Sequence, residues 1–133
     1  MDVLPPYAVL LGLRTVEVDG RALFAMPFGD DVIGRPGFVH GGAIAGLLEF
    51  ACYGALRAAL DDPAVGMKPV GVTVDFLRGA GARETIAAGL VRRLGKRVAN
   101  VEAAAWQDDE AKPVAIARMN VLLARDRNGH SLA

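Results

Sequence analysis

His40, Gly41, Gly42 and Glu49 fall within one short stretch and carry the residue types that acyl chemistry needs. The rest of the chain is poor in nucleophiles. Ser131 is the only serine and stands close to the last residue, so a Ser-His-Asp triad has no serviceable serine. Cys52, the only cysteine, could act as a thiol nucleophile with His40, but it lies in an apolar run where a cysteine is more often inert packing. His40 and His130 are the only histidines and neither has paired acids beside it, so no metal is expected, and no cofactor. If the chain is a hydrolase, a carboxylate that activates water, or attacks directly, is what remains.

Glu49 is the obvious carboxylate, and two readings of it stand level on the residues alone. In one it is a solvent-facing member of a polar stripe, partnered by Arg57 two turns on. In the other its apolar neighbours desolvate it, the setting in which a carboxylate becomes a base or a nucleophile. The start of the segment bears on the choice. His40-Gly41-Gly42 opens an apolar helix with no Ser, Thr, Asp or Asn as cap, which leaves the first N–H groups free at the positive end of the dipole. Such a terminus suits the oxyanion of a carbonyl under attack. The glycines would also serve close helix packing, with Gly42 and Gly46 at small-xxx-small spacing.

These groups need elements to hold them, and 133 residues are enough for one core, so a single domain spanning 1–133 is expected. The 15 basic and 15 acidic side chains cancel, leaving no footprint for nucleic acid. A lone cysteine and the absence of a basic-then-apolar start at Met1-Asp2-Val3 predict a cytoplasmic address. Gly41 to Leu60 is the only stretch that suggests a membrane span. Glu49 and Arg57 inside it each cost about 2.5 to 3.5 kcal/mol near a bilayer centre, which makes it a core helix and predicts no membrane partner.

The pattern along the chain predicts a short helix over Pro5 to Leu13, then strands over Arg14 to Asp19 and Arg21 to Phe28 joined at Asp19-Gly20. A loop follows from Gly29 to Val39, and the long helix from Gly41 to about Leu60 is closed by Asp61-Asp62-Pro63. Val70, Val72, Val74 and Phe76 alternate with Gly71, Thr73, Asp75 and Leu77, the period of a strand with one buried face. Glu84 to Leu94, Val98 to Gln107 and Pro113 to Arg125 read as three more strands before a loose tail around Gly129 and Ser131. With no crossover helices between the later strands, the fold class is α+β, an antiparallel sheet covered by one helix that is apolar nearly all round.

The chain resembles the acyl-CoA thioesterases of the hotdog superfamily, in the PaaI-like branch related to phenylacetyl-CoA thioesterase. The resemblance is carried by His40-Gly41-Gly42 followed by Glu49, by Val74-Asp75-Phe76-Leu77-Arg78, and by Arg92-Arg93-Leu94-Gly95-Lys96-Arg97-Val98. It implies a hotdog fold, with the sheet wrapped around the long helix and two subunits paired into a homodimer with a continuous sheet, often paired again into a tetramer. It also implies an acyl-CoA substrate, hydrolysed with Glu49 as base or nucleophile and the N–H groups of Gly41 and Gly42 on the carbonyl oxygen. With no orienting carboxylate evident near it, His40 reads as a structural or positioning residue rather than a general base. Two positions depart from the family: Gly34 stands where many members carry Asn, and Arg78-Gly79 where a Ser or Thr assists water.

Arg78, Arg92, Arg93, Lys96 and Arg97 concentrate positive charge in a neutral chain and are the candidates to hold the CoA phosphates. Gly41 and Glu49 are eight residues apart on one helix. That is a rise of about 12 Å, whereas reacting groups must converge to about 3 to 3.5 Å, so the site is expected to lie between two chains. Two alternatives stay open: a hotdog enoyl-CoA hydratase or dehydratase using His40 as base, and a non-catalytic module that binds acyl-CoA or another small ligand.

Overall fold

A computed structural model of the chain describes residues 4–125, so the expected tail around Gly129 and Ser131 lies outside the described residues. The elements are α1 (Pro6–Leu10), β1 (Arg14–Val18), β2 (Arg21–Met26), a single 3-10 turn at Asp30–Val32, α2 (Gly41–Ala59), β3 (Gly66–Phe76), β4 (Thr85–Leu94), β5 (Val98–Trp106) and β6 (Ala115–Ala124). The strands form one antiparallel sheet in the order β1-β2-β4-β5-β6-β3, curved around α2 in the hotdog arrangement.

Local chemistry sets the boundaries. Asp19 and Gly20 both take positive φ, 52° and 78°, which gives the primed turn that joins β1 to β2 without splaying them. Helix α1 is shorter than the expected Pro5 to Leu13, because Gly12 at φ 72° turns the chain and Leu13 N–H bonds back to the Ala8 carbonyl at 3.0 Å. At the end of α2, Arg57 donates to the carbonyls of Pro63 and Val65, both at 2.9 Å, and the Asp62 carboxylate accepts the Ala64 N–H at 2.9 Å. The stretch expected as a plain loop from Gly29 to Val39 is tied down by antiparallel bridges between Ile33 and Val39 and between Phe38 and Gly81.

The core forms where α2 lies on the concave face of the sheet. Leu47, Leu48 and Leu56 are fully buried, each stabilising the fold by about 1.5 to 3 kcal/mol, and Ala51 and Cys52 fill the gaps between them. Gly89 on β4 faces the Ala51 carbonyl so closely that a side chain there would collide with the helix backbone. Gly46 on another face of α2 receives the Tyr7 ring of α1. On β6 the alternation is clean: Ala115, Ala117, Met119, Val121 and Leu123 are buried while the residues between them point outward.

Strand β3 corrects two expectations. It begins at Gly66, earlier than Val70, and its ladder with β6 shifts register between Pro69 and Gly71, where proline has no N–H to donate. Val72, Val74 and Phe76 do share the helix-side face, opposite Met119, Ala117 and Ala115. That face is only partly buried. Val74 packs against the core, whereas Val72 and Phe76 are 45% and 55% exposed because β3 is an edge strand that α2 covers only in part.

Candidate active site

The start of α2 sits in a pocket of folded loops. His40 N–H bonds the Val32 carbonyl at 2.7 Å, and Val39 N–H bonds the Ala80 carbonyl at 2.9 Å, which fixes the chain as it turns into the helix. The sequence predicted an uncapped terminus, and the structure corrects this. His40 adopts extended φ and ψ of −63° and 135°, and its Nδ1 accepts the Gly42 N–H at 2.8 Å. The imidazole thus takes the place of the missing Ser, Thr, Asp or Asn. Gly42 N–H is engaged in this bond, whereas Gly41 N–H has no acceptor among the described residues.

Gly41 opens onto a groove of about 520 Å³ whose walls include Ile44, Phe76, Leu77, Phe38, Gly79 and His40. Phe76 lies against Gly41, 3.4 Å from where a side-chain carbon would stand. Arg35 and Arg78 edge the same groove. Arg35 stacks over Phe38 with its guanidinium carbon 4.1 Å from the ring centre, and Arg78 Nε donates to the Pro113 carbonyl at 3.0 Å. Arg35 was missed in the sequence, where the cation three residues before an aromatic was the available signal. At Gly34, a side-chain carbon would stand 3.0 Å from His40 Cα, so the backbone is drawn tight there.

Glu49 lies two turns along α2, half-buried, and does not line the groove at Gly41. Arg57 is turned to the carbonyls of Pro63 and Val65, and Glu49 has no ion-pair partner among the described residues. The helical pair of the solvent-facing reading is therefore absent. Burial, with the nearby Glu49 carboxylate and then Glu102 adding to it, pushes the Cys52 thiol up to about 12, and Cys52 is fully buried. Burial and then Glu49 also push the Tyr53 phenol upward. Next to these sit Phe50 and Tyr7, with ring centroids 6.3 Å apart.

The five candidate cations do not converge in one chain. Arg78 follows Phe76, which pairs with Ala115, whereas the Arg97 carbonyl accepts the Leu123 N–H. Ala115 and Leu123 are eight residues apart on β6, so the two groups sit at opposite ends of the sheet, about 27 Å apart at about 3.4 Å per residue. Arg92 is paired with Glu102 at 2.9 Å, while Arg93, Lys96 and Arg97 have no ion-pair partner among the described residues. No helix among the described residues is long and apolar enough to cross a membrane.

A groove ending on an unengaged helix N-terminal amide, with a carboxylate farther along the same helix, can polarise a carbonyl and activate water once the two groups are brought together. Comparison with known proteins bears on which carbonyl. A family model described as the thioesterase superfamily matches residues 36–114. No curated protein matches the chain in sequence. Among solved structures, a protein from Chromobacterium violaceum is 33% identical over 92% of this chain and 85% of its own, with a TM-score of 0.75. A phenylacetic acid degradation-related protein from Ralstonia eutropha is 27% identical, over 91% of this chain and 92% of its own, with a TM-score of 0.78. A Bacillus halodurans protein solved with CoA shares the fold at a TM-score of 0.83, with 22% identity over 93% of this chain and 82% of its own.

Proposed function

Because the chain belongs to the thioesterase superfamily and is a thioester hydrolase, we propose that it hydrolyses acyl-CoA esters at a site shared by two copies. In this reading the Gly41 N–H of one copy holds the thioester oxygen and Glu49 of the other activates water or forms a mixed anhydride. The observation that carries it is the Gly41 amide, left without an acceptor among the described residues at the end of an apolar groove and at the positive pole of α2. Gly42 is not a second donor in this scheme, because its N–H is engaged by His40. Departure of the thiol needs little help, since a thiol of pKa about 8.5 leaves as thiolate. The CoA bound to the Bacillus halodurans neighbour supports the choice of thiol.

The exposed β3 supports a homodimer. Its outer edge offers unpaired backbone groups, and Val72 and Phe76 present apolar surface on the same face as α2. Pairing β3 with its counterpart in a second copy makes a continuous sheet, covers that surface and sets the two long helices antiparallel. Each Gly41 then faces the other chain's Glu49. A hydratase would require His40 as base, and the imidazole's Nδ1 is already taken as an acceptor.

Thiol release from a panel of aromatic and aliphatic acyl-CoAs is the direct test. Release from at least one class, abolished in the Glu49→Gln protein, is the expected result. Binding of CoA esters by folded protein without release of thiol would overturn the proposal and leave a binding module.

A further inference from the structure

Gln107, the residue after β5, spends its whole side-chain amide on the loop between β3 and β4. Its Oε1 accepts the Gly81 N–H at 2.9 Å, and its Nε2 donates to the Gly81 carbonyl at 2.9 Å, so the side chain pairs with Gly81 as a neighbouring strand would. The same Nε2 reaches the Arg83 carbonyl at 3.2 Å and the hydroxyl of Thr85 at 3.3 Å, and Thr85 is fully buried. The adjacent Asp108 carboxylate accepts from Nε and Nη2 of Arg83, at 3.0 and 2.6 Å. The Gly81 to Thr85 part of the loop is thereby fixed to the end of β5.

The loop also faces α2. Gly79 and Ala80 form part of the groove wall, Gly81 bridges Phe38, and the Ala80 carbonyl accepts the Val39 N–H at 2.9 Å. Val39 and His40 lead directly into Gly41. We infer that Gln107 is a positioning residue of the thioester groove: by holding Gly81 it fixes the Ala80 carbonyl, which fixes Val39 and so sets where the Gly41 N–H points. This rests on the hydrolase reading above.

Gln107→Met keeps the length of the side chain and loses all these bonds, and Gln107→Glu keeps only the acceptor for the Gly81 N–H. An oxyanion donor displaced by a fraction of an ångström to 1 Å slows the chemical step more than binding, so kcat should fall about 10- to 100-fold in Gln107→Met with KM within about twofold. A fall in the same direction is expected for Gln107→Glu, which carries the test if the Met protein does not fold. Amide hydrogen exchange measured on the same proteins should quicken at Val39 and Gly42 as well as at Gly81. Unchanged kcat in folded variant, or faster exchange confined to the loop between Gly81 and Thr85, would overturn the inference. If the wild-type protein releases no thiol from any acyl-CoA, the hydrolase reading fails by itself, and exchange at Val39 and Gly42 alone decides whether Gln107 positions the start of α2.

Discussion

The Nδ1 of His40 accepts the Gly42 N–H at 2.8 Å, so the ring that stands beside the proposed oxyanion donor is the cap of the central helix. The bond occupies the Nδ1 lone pair of the ring. His40→Ala should lower stability by about 1 kcal/mol in thermal or urea unfolding, the usual cost of a lost cap. His40→Asn can accept the same N–H and should retain both stability and thiol release. Loss of turnover in a stably folded His40→Asn protein would make the imidazole a base and favour the hydratase alternative.

Glu49→Gln keeps the size of the side chain but removes its ability to take a proton from water or to form an anhydride. Loss of a general base typically lowers kcat about 100- to 10,000-fold, whereas replacing a solvent-facing residue alters stability by about 0.5 kcal/mol and leaves turnover alone. Thiol release by folded Glu49→Gln protein separates the two, and Glu49→Asp should retain part of the activity.

Complementation tests the shared site. Gly41→Pro removes the N–H at the first helical position, where proline is well tolerated, and should be inactive alone, as should Glu49→Gln. When the two are mixed and allowed to exchange subunits, half of the dimers are mixed and each has one intact site, so about a quarter of wild-type activity should return. Val72→Lys, on the exposed helix-side face of β3, should sediment as an inactive monomer. A mixture that stays inactive although exchange is complete would rule out a site built from two chains.

Arg93, Lys96 and Arg97 are the cations at the β4–β5 end without ion-pair partners among the described residues, and Arg92 is held by Glu102. Changing those three to Ala should raise KM for CoA esters several-fold and leave pantetheine esters, which lack the nucleotide phosphates, almost unchanged. Equal effects on both ester types would assign these residues to an ordinary charged surface.

Cys52 should be silent toward thiol reagents. With the thiol pushed up to about 12 by burial, native protein at pH 8 should not react, and one thiol should appear on unfolding. The same shift sets a pH window for stability. The unfolded thiol ionises from about 9 upward and the folded one only near 12, so stability present below 9 is lost as pH rises toward 12. Comparing the pH dependence of unfolding for wild type and Cys52→Ala checks this, since the variant should lack that part of the decline.

Most of the architecture could be read from local patterns, because its determinants are local. Asp19-Gly20 marks a turn that needs two positive φ angles, and the apolar run ending at Asp61-Asp62-Pro63 delimits α2 within a residue or two. Periodicity also put Val72, Val74 and Phe76 on one face of β3 correctly. It could not show that the face is only partly covered in a single chain, since a sequence pattern reports which residues share a side and not what lies against it. The site was legible in its residue types and not in its wiring. A histidine cap depends on the backbone angles at His40, Arg57 chose carbonyls over Glu49, and Gln107 acts on Gly81, 26 residues away.

The β1–β2 hairpin joins the rest of the sheet through one short ladder, in which Phe24 faces Ala87, Ala25 faces Ile86 and Met26 faces Thr85. Beyond it, Arg21 to Leu23 run on without β-pairing to β4, anchored at the surface by the Arg21–Glu110 ion pair. The inner part of β2 is held in the core, with Ala25 and Met26 buried and Phe24 against Gly54 of α2, whereas the outer end of the hairpin has no such packing. Its exposed tip at Asp19-Gly20 is accordingly the place where this chain can best absorb an inserted peptide, a fluorescent label or a break in the backbone while the start of α2 and the open edge of β3 stay undisturbed.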